Sequence, residues 1–210
     1  MKENDIQQEV ITEEKDFKKI FKEFRDRLWK TYKIRINTAE RLKKNNSIVA
    51  FLSIFYSAML SAISILNFSN CSKEMDLITI VLSVIVTILF LFFEGKGFKD
   101  RHRDMKINYN NLSLLYYEVE LYCNNNTEYK EEKFEEFTKR YVKLLNDVEN
   151  HSNEDYYLYM LNKSEANWWM IIKYYAYKCL FWIFIILLIL IPIACFAMSL
   201  CELIWKIKVI

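Results

Sequence analysis

Hydroxyl side chains recur at helical intervals inside two apolar runs that carry no charge. In the first run, Ser47–Phe68, residues Ser53, Ser57 and Ser61 are four apart and Ser64 follows three further on. In the second, Leu77–Phe93, residues Thr79, Ser83 and Thr87 repeat the four-residue step, with Asp76 and Glu94 at the two ends. Residues three and four apart share one face of a helix, so each set makes a polar line. Two kinds of chemistry suit such a line. Small hydroxyl residues let helices approach closely and share hydrogen bonds. Alternatively, the hydroxyls border a narrow water path with Glu94 at its mouth. The spacing leaves both open, and the two lines could divide the roles. Pore lining requires several copies, because two spans without an intramembrane charge enclose no channel alone.

A basic segment follows the second run: Lys96, Lys99, Arg101 and Arg103 lie within eight residues. Such cations suit the phosphates of anionic lipid headgroups, each contributing about 1 kcal/mol near a membrane surface. They suit a phosphorylated ligand equally in charge. The chain's two glycines, Gly95 and Gly97, stand at the head of this segment. Glycine disfavours a helix by about 1 kcal/mol relative to alanine, so the pair predicts a hinge. A Gly-x-Gly without a preceding strand is not a dinucleotide fingerprint.

Other reactive residue types form no pattern. There are two histidines: His102 lies among basic residues, and His151 lies four residues before Asp155, where capping or packing explains it better than a metal pair. The five cysteines (Cys71, Cys123, Cys179, Cys195, Cys201) show no CxxC and no metal-ligand spacing, and read as small apolar residues. No nucleophile elbow, HExxH, P-loop or paired acidic motif occurs. The expectation is a protein that is not an enzyme and holds no cofactor or metal.

Three elements must position these lines. A hydrocarbon core of about 30 Å needs about 20 apolar helical residues. Ser47–Phe68 meets that length, Leu77–Phe93 meets it if Met75 and a flanking turn join, and a third run extends over Cys179–Leu203. With two glycines and one proline in 210 residues, little punctuates strands and turns. The fold class expected is an all-α membrane protein: a transmembrane helical hairpin, a cytoplasmic helical bundle and a third, C-terminal transmembrane helix. The expected division is 1–46 (N-terminal cytoplasmic helix), 47–93 (hairpin, spans 47–68 and 77–93), 94–173 (cytoplasmic bundle) and 174–210 (third span and tail). A mean hydropathy near zero averages these unlike parts. The net charge of +2 argues against generic nucleic-acid binding.

Basic residues set the orientation. Arg41, Lys43 and Lys44 precede the first span, and Lys96 to Lys106 follow the second, against Lys73 alone in the link. Both ends of the hairpin, the N-terminus and the bundle are therefore expected in the cytoplasm, with residues 205–210 outside. The first 46 residues carry no apolar core of a signal peptide, so insertion is expected to rest on the spans. Residues 1–12 are expected to fray, and a helix is expected from Glu13 with Phe17, Ile20, Phe21, Phe24 and Leu28 on one stripe. It either runs on into the first span or turns near Asn45-Asn46. A helix bearing Met105, Leu112, Leu115 and Val119 should end at 124–127. The next should cover Glu128–Val148, and a third Glu154–Lys173, capped by Ser152 or Asn153. Trp168, Trp169, Tyr174, Tyr175 and Tyr177 before the last span, and Trp205 after it, form an aromatic belt. That span carries Pro192, which predicts a kink. It reads as lipid-facing.

Arg27-Leu28-Trp29-Lys30-Thr31-Tyr32-Lys33-Ile34-Arg35, Ala39-Glu40-Arg41-Leu42 and Glu149-Asn150-His151-Ser152-Asn153-Glu154-Asp155-Tyr156, with the serine-bearing hairpin and the basic turn between them, resemble the SLATT family, subgroup five. These are bacterial two-span effectors associated with SMODS nucleotidyltransferases and SLOG sensors. The resemblance covers about residues 17–165, without the third span. It implies an oligomeric pore-forming effector of an anti-phage or conflict system in the inner membrane. A nucleotide or oligonucleotide signal from a neighbouring nucleotidyltransferase-type enzyme would set it open or closed. The implied partners are further copies of the chain, the bilayer and that signal. A non-conducting scaffold that recruits a cytoplasmic partner through the helical bundle is the alternative.

Overall fold

The computed structural model describes residues 2–70, 73–125 and 129–209, with side chains described over 17–68, 74–125 and 129–208. Among the described residues there are six α-helices and no strand: α1 (Lys2–Asn70), α2 (Lys73–Gly95), α3 (Phe98–Asn125), α4 (Glu131–Asn146), α5 (Asn153–Asn162) and α6 (Trp168–Val209). Helix α1 is continuous through Asn45-Asn46, because no glycine or proline interrupts it and asparagine costs a helix well under about 1 kcal/mol. It also begins at Lys2 rather than Glu13. Helix α2 starts four residues before the expected Leu77, with Glu74 and Asp76 in its first turn, where carboxylates favour the positive end of the helix dipole. Residues 71–72 of the link and residues 126–128, on which part of the break expected at 124–127 falls, lie outside the described residues.

Three further boundaries correct the sequence reading. Helix α4 is shorter at both ends than Glu128–Val148, beginning after the extended residue Lys130. Helix α5 stops at Asn162 instead of running to Lys173. Lys163 caps it and Ser164 takes a left-handed backbone, φ 58°. The Asn167 side-chain oxygen then accepts from the Trp169 N–H at 2.8 Å and opens α6, so the aromatic residues from Trp168 onward belong to the last helix.

The chain forms two compact units. The first comprises residues 1–41 and 100–166, the second 42–99 and 167–210. In the first, Phe21, Phe24 and Leu28 of α1 meet Leu112, Leu115 and Val119 of α3 and Phe137 and Tyr141 of α4. The α1 seam runs at steps of three and four residues, and Ile20 falls beside it, 39% exposed. Edge-to-face contacts of Phe24 with Phe134 and Tyr141, at centroid distances of 5.5 and 5.6 Å, add packing specificity beyond area burial.

In the second unit, Leu52, Tyr56, Ile63 and Asn67 of α1 and Met75, Thr79 and Val86 of α2 are buried, as are Tyr174, Ile185, Pro192 and Ser199 of α6. The 185, 192 and 199 positions repeat every seven residues, a narrow seam of the coiled-coil kind. Helix α6 therefore packs one face on this unit and is not lipid-facing all round. Proline has no N–H to bond four residues back, so Pro192 leaves the Leu188 carbonyl without that partner. The Tyr56 hydroxyl donates to this carbonyl at 2.7 Å. Three helices, within Phe17–Phe68, Glu74–Asn125 and Trp168–Lys208, contain windows long and apolar enough to cross a membrane.

Candidate functional site

The hydroxyl lines take their geometry from the helices that carry them. On α1, Ser57, Ser61 and Ser64 are exposed and Ser53 is half-buried. Ser61 Oγ donates to the Ser57 carbonyl at 2.8 Å. On α2, Ser83 donates to the Ile80 carbonyl at 2.7 Å and Thr87 to the Ser83 carbonyl at 2.8 Å. Such bonds back to the preceding turn let hydroxyls sit in an apolar helix without a stranded donor. Their acceptor lone pairs still offer a polar strip to whatever lies outside. Thr79 departs from its line. It is 8% exposed, donates to the Met75 carbonyl at 2.8 Å and accepts from Asn67 Nδ2 at 3.0 Å, so it ties α2 to α1. Glu94 is exposed near the end of α2.

The hinge candidates differ from each other. Gly95 is the last residue of α2, whereas Gly97 has φ +59°, the left-handed region. Gly97 N–H donates to the Glu94 carbonyl at 2.9 Å and Lys96 N–H to that of Phe93 at 3.1 Å, a helix stop of the kind glycine permits. The break between α2 and α3 therefore falls at Lys96-Gly97.

The four basic candidates have separate surroundings. Lys96 Nζ lies 4.7 Å from the Phe92 ring centroid, and Lys99 is exposed. Arg101 forks onto Glu149, with Nη2 at 2.6 and 2.7 Å from the two carboxylate oxygens. Arg103 lies 3.4 Å from both Asp100 and Asp104. Arg101 and Arg103 thus already have carboxylates beside them. His102 Nδ1 donates to the Ala39 carbonyl at 2.9 Å, and His151 lies near the Tyr156 ring. Among the described residues, no group of three His, Cys, Asp or Glu side chains could hold a metal ion.

The first unit holds a buried polar hub that the periodicity gave no hint of. Asp155, 2% exposed, accepts from Arg41 Nε at 2.8 Å and Nη2 at 2.9 Å. It also accepts from Thr38 Oγ1 at 3.0 Å, and from the Ser152 backbone and hydroxyl at 3.0 and 2.9 Å. Ser152 and Asp155 together form a capping box at the start of α5, which settles the cap between Ser152 and Asn153. Burial drives the Asp155 carboxyl upward, but the Arg41 and Ser152 hydrogen bonds reverse this and hold it below the usual carboxylate range. Nearby, Arg35 donates to Asn108 Oδ1 at 2.8 Å and to the Leu145 carbonyl at 3.3 Å. Asn108 in turn donates to the Leu144 carbonyl at 2.7 Å. Burial lowers the Arg35 pKa, though a guanidinium remains charged at neutral pH.

Beside the hub lies a cavity of about 360 Å³, lined by Trp29, Lys33, Ile36 and Asn37 of α1 and by Tyr159, Asn162 and Lys163 at the end of α5. The four-residue steps of Trp29, Lys33 and Asn37 are visible in the sequence as one face of α1. The α5 residues opposite them are not, since more than 120 positions separate the two sets.

The family model of the SMODS and SLOG-associating 2TM effector domain family 5 matches residues 17–198. The chain belongs to this family. No curated protein and no solved structure matches it. The match reaches well beyond the limit near residue 165 expected from the sequence. It takes in most of α6, including Pro192. The family is one of two-transmembrane effectors of conflict systems that associate with SMODS and SLOG partners.

Proposed function

We propose that several copies of this SLATT protein assemble in the bacterial inner membrane into an ion-conducting pore. A nucleotide-type signal from a partner enzyme gates it, and opening depolarises the cell. The observation that carries this reading is the exposed line Ser57, Ser61 and Ser64 on α1. A polar strip on the outside of a membrane helix belongs against a second polar surface or water, because hydrocarbon offers its lone pairs nothing. Symmetric copies facing one axis would place that strip around a water path, with Ser53 continuing it. Ser83 and Thr87 of α2, with Glu94 beyond, would line the same path or the contact between neighbours. The first unit then stands in the cytoplasm as the receiver, and the Lys96-Gly97 break and α1 connect it to the spans.

The scaffold alternative uses the same strip as a packing face between copies, without conduction. Purified protein in liposomes loaded with a potassium-sensitive dye separates the two. Ion flux by the native chain, lost in Ser57→Leu while the oligomer persists, supports the pore. An oligomer that passes no ions with or without the partner enzyme's product overturns it.

A further inference from the structure

We propose that the cavity between α1 and the end of α5 binds a nucleotide, one base and one phosphate per chain. The inference deepens the signal-gated reading above and rests on it. At about 360 Å³ the cavity lies at the low end of the 300–1,000 Å³ range typical of small-molecule sites, which suits one nucleotide unit. Its lining combines the three functions such a ligand needs. Trp29, 37% exposed, offers an indole for stacking, the sequence-tolerant way of holding a base. Lys33 and Lys163 supply two ammonium groups for a phosphate. The Asn37 and Asn162 amides supply hydrogen bonds to a base edge.

The Trp29 ring also packs on Tyr32 and Tyr116, at centroid distances of 5.5 and 5.0 Å, which fix its orientation, whereas the present partners of the two lysines are exchangeable. Lys33 Nζ lies 4.4 Å from the Trp29 ring centroid, and its flexible stem lets it move to a phosphate as a base takes its place. Lys163 pairs with Glu165 at 2.8 Å, with both side chains about half exposed, a pair of little net strength. Asn37 Nδ2 donates to the Asp155 carbonyl at 3.1 Å, which leaves its Oδ1 as the atom offered to an exocyclic amine. The same contact joins the cavity to the Asp155 hub. A ligand held by Lys33 and Lys163 would therefore tighten α1 on α5 where Arg41 and Thr38 already hold them.

The test is calorimetric titration of the full chain in detergent micelles with AMP, GMP, CMP, UMP and their 3′–5′ linked dinucleotides. The matching nucleoside and inorganic phosphate serve as half-ligands. At least one nucleotide should bind at one unit per chain, more tightly than either half. Trp29→Ala, and separately the pair Lys33→Gln and Lys163→Gln, should weaken it by about tenfold or more. Arg101→Gln with Arg103→Gln should leave it unchanged, and unaltered circular dichroism confirms that each variant folds. No binding up to about 1 mM, which is some 4 kcal/mol, or binding indifferent to the cavity variants, overturns the proposal. Ion flux is read separately: flux without binding here sinks the cavity and spares the pore, and binding without flux does the reverse.

Discussion

The Tyr56 hydroxyl and the Leu188 carbonyl, 132 residues apart, meet at 2.7 Å, and Pro192 is the reason the acceptor is available. In a bilayer an unpaired carbonyl is costly, and neighbouring helices re-satisfy the groups that a proline frees. Tyr56→Phe should therefore destabilise the second unit by about 1 kcal/mol, the usual range for interhelical hydrogen bonds in membranes. Pro192→Ala restores an N–H for Leu188, so the loss should shrink in the Pro192→Ala background. Thermal unfolding in detergent of the two single variants and the double reads this cycle, and additive losses would refute the coupling.

Asp155 is the member of the buried hub with most to lose. Asp155→Ala strands Arg41 and removes the carboxylate half of the α5 capping box, and should cost about 3 kcal/mol, as for other broken buried pairs. Because the folded carboxyl is held below its ordinary value, its contribution is fully present above about pH 4. It is lost as pH falls through the depressed folded value. Acid unfolding followed by circular dichroism should show that loss in the native chain. Asp155→Asn should be less stable at neutral pH and less sensitive to acid; an unchanged acid limb in Asp155→Asn would remove Asp155 from the explanation.

The two glycines should separate. Neither has an atom within 4 Å of where a Cβ would sit, so only backbone conformation decides. Gly97→Ala must hold a left-handed φ and should cost about 1 kcal/mol. Gly95→Ala should be neutral or stabilising by about 0.5 kcal/mol. If the break relays gating, Gly97→Ala also shifts the nucleotide dependence of ion flux in liposomes while Gly95→Ala does not. Equal behaviour of the two would remove Lys96-Gly97 from the relay.

Hydroxyl positions within one helix should differ as well. Ser57→Leu changes an exposed position and should abolish most flux with stability intact. Thr79→Val breaks the bond to Asn67 and should cost about 1 kcal/mol with flux per assembled oligomer retained. Flux and detergent unfolding measured on the same preparations check both halves, and a Thr79→Val loss of flux without loss of stability would move Thr79 into the pore.

The helices were legible because periodicity is local: the Phe21, Phe24 and Leu28 seam and the Met105, Leu112, Leu115 and Val119 seam can be counted along the chain. The end of α5 was missed because no glycine or proline marks it. The signals there are weaker, in Asn162, Ser164 and Asn167, residues that cap and turn. The hub and the cavity were out of reach for another reason. Arg35 meets Asn108 across 73 positions and Arg41 meets Asp155 across 114, and one-dimensional spacing carries no information about which buried polar groups find each other. The same holds for Thr79, whose register matched Ser83 and Thr87 until Asn67 drew it inward.

The bond from Asn67 to Thr79 spans only 12 residues, while that from Tyr56 to Leu188 spans 132. Contacts close in sequence form with the least loop-closure entropy and the earliest in synthesis. A ribosome making this chain can thus fasten the hairpin tip as soon as Thr79 emerges. Tyr56 must wait through more than a hundred further codons for the carbonyl that Pro192 sets free, and during that interval the hairpin is a tied but unfinished guest of the insertion machinery.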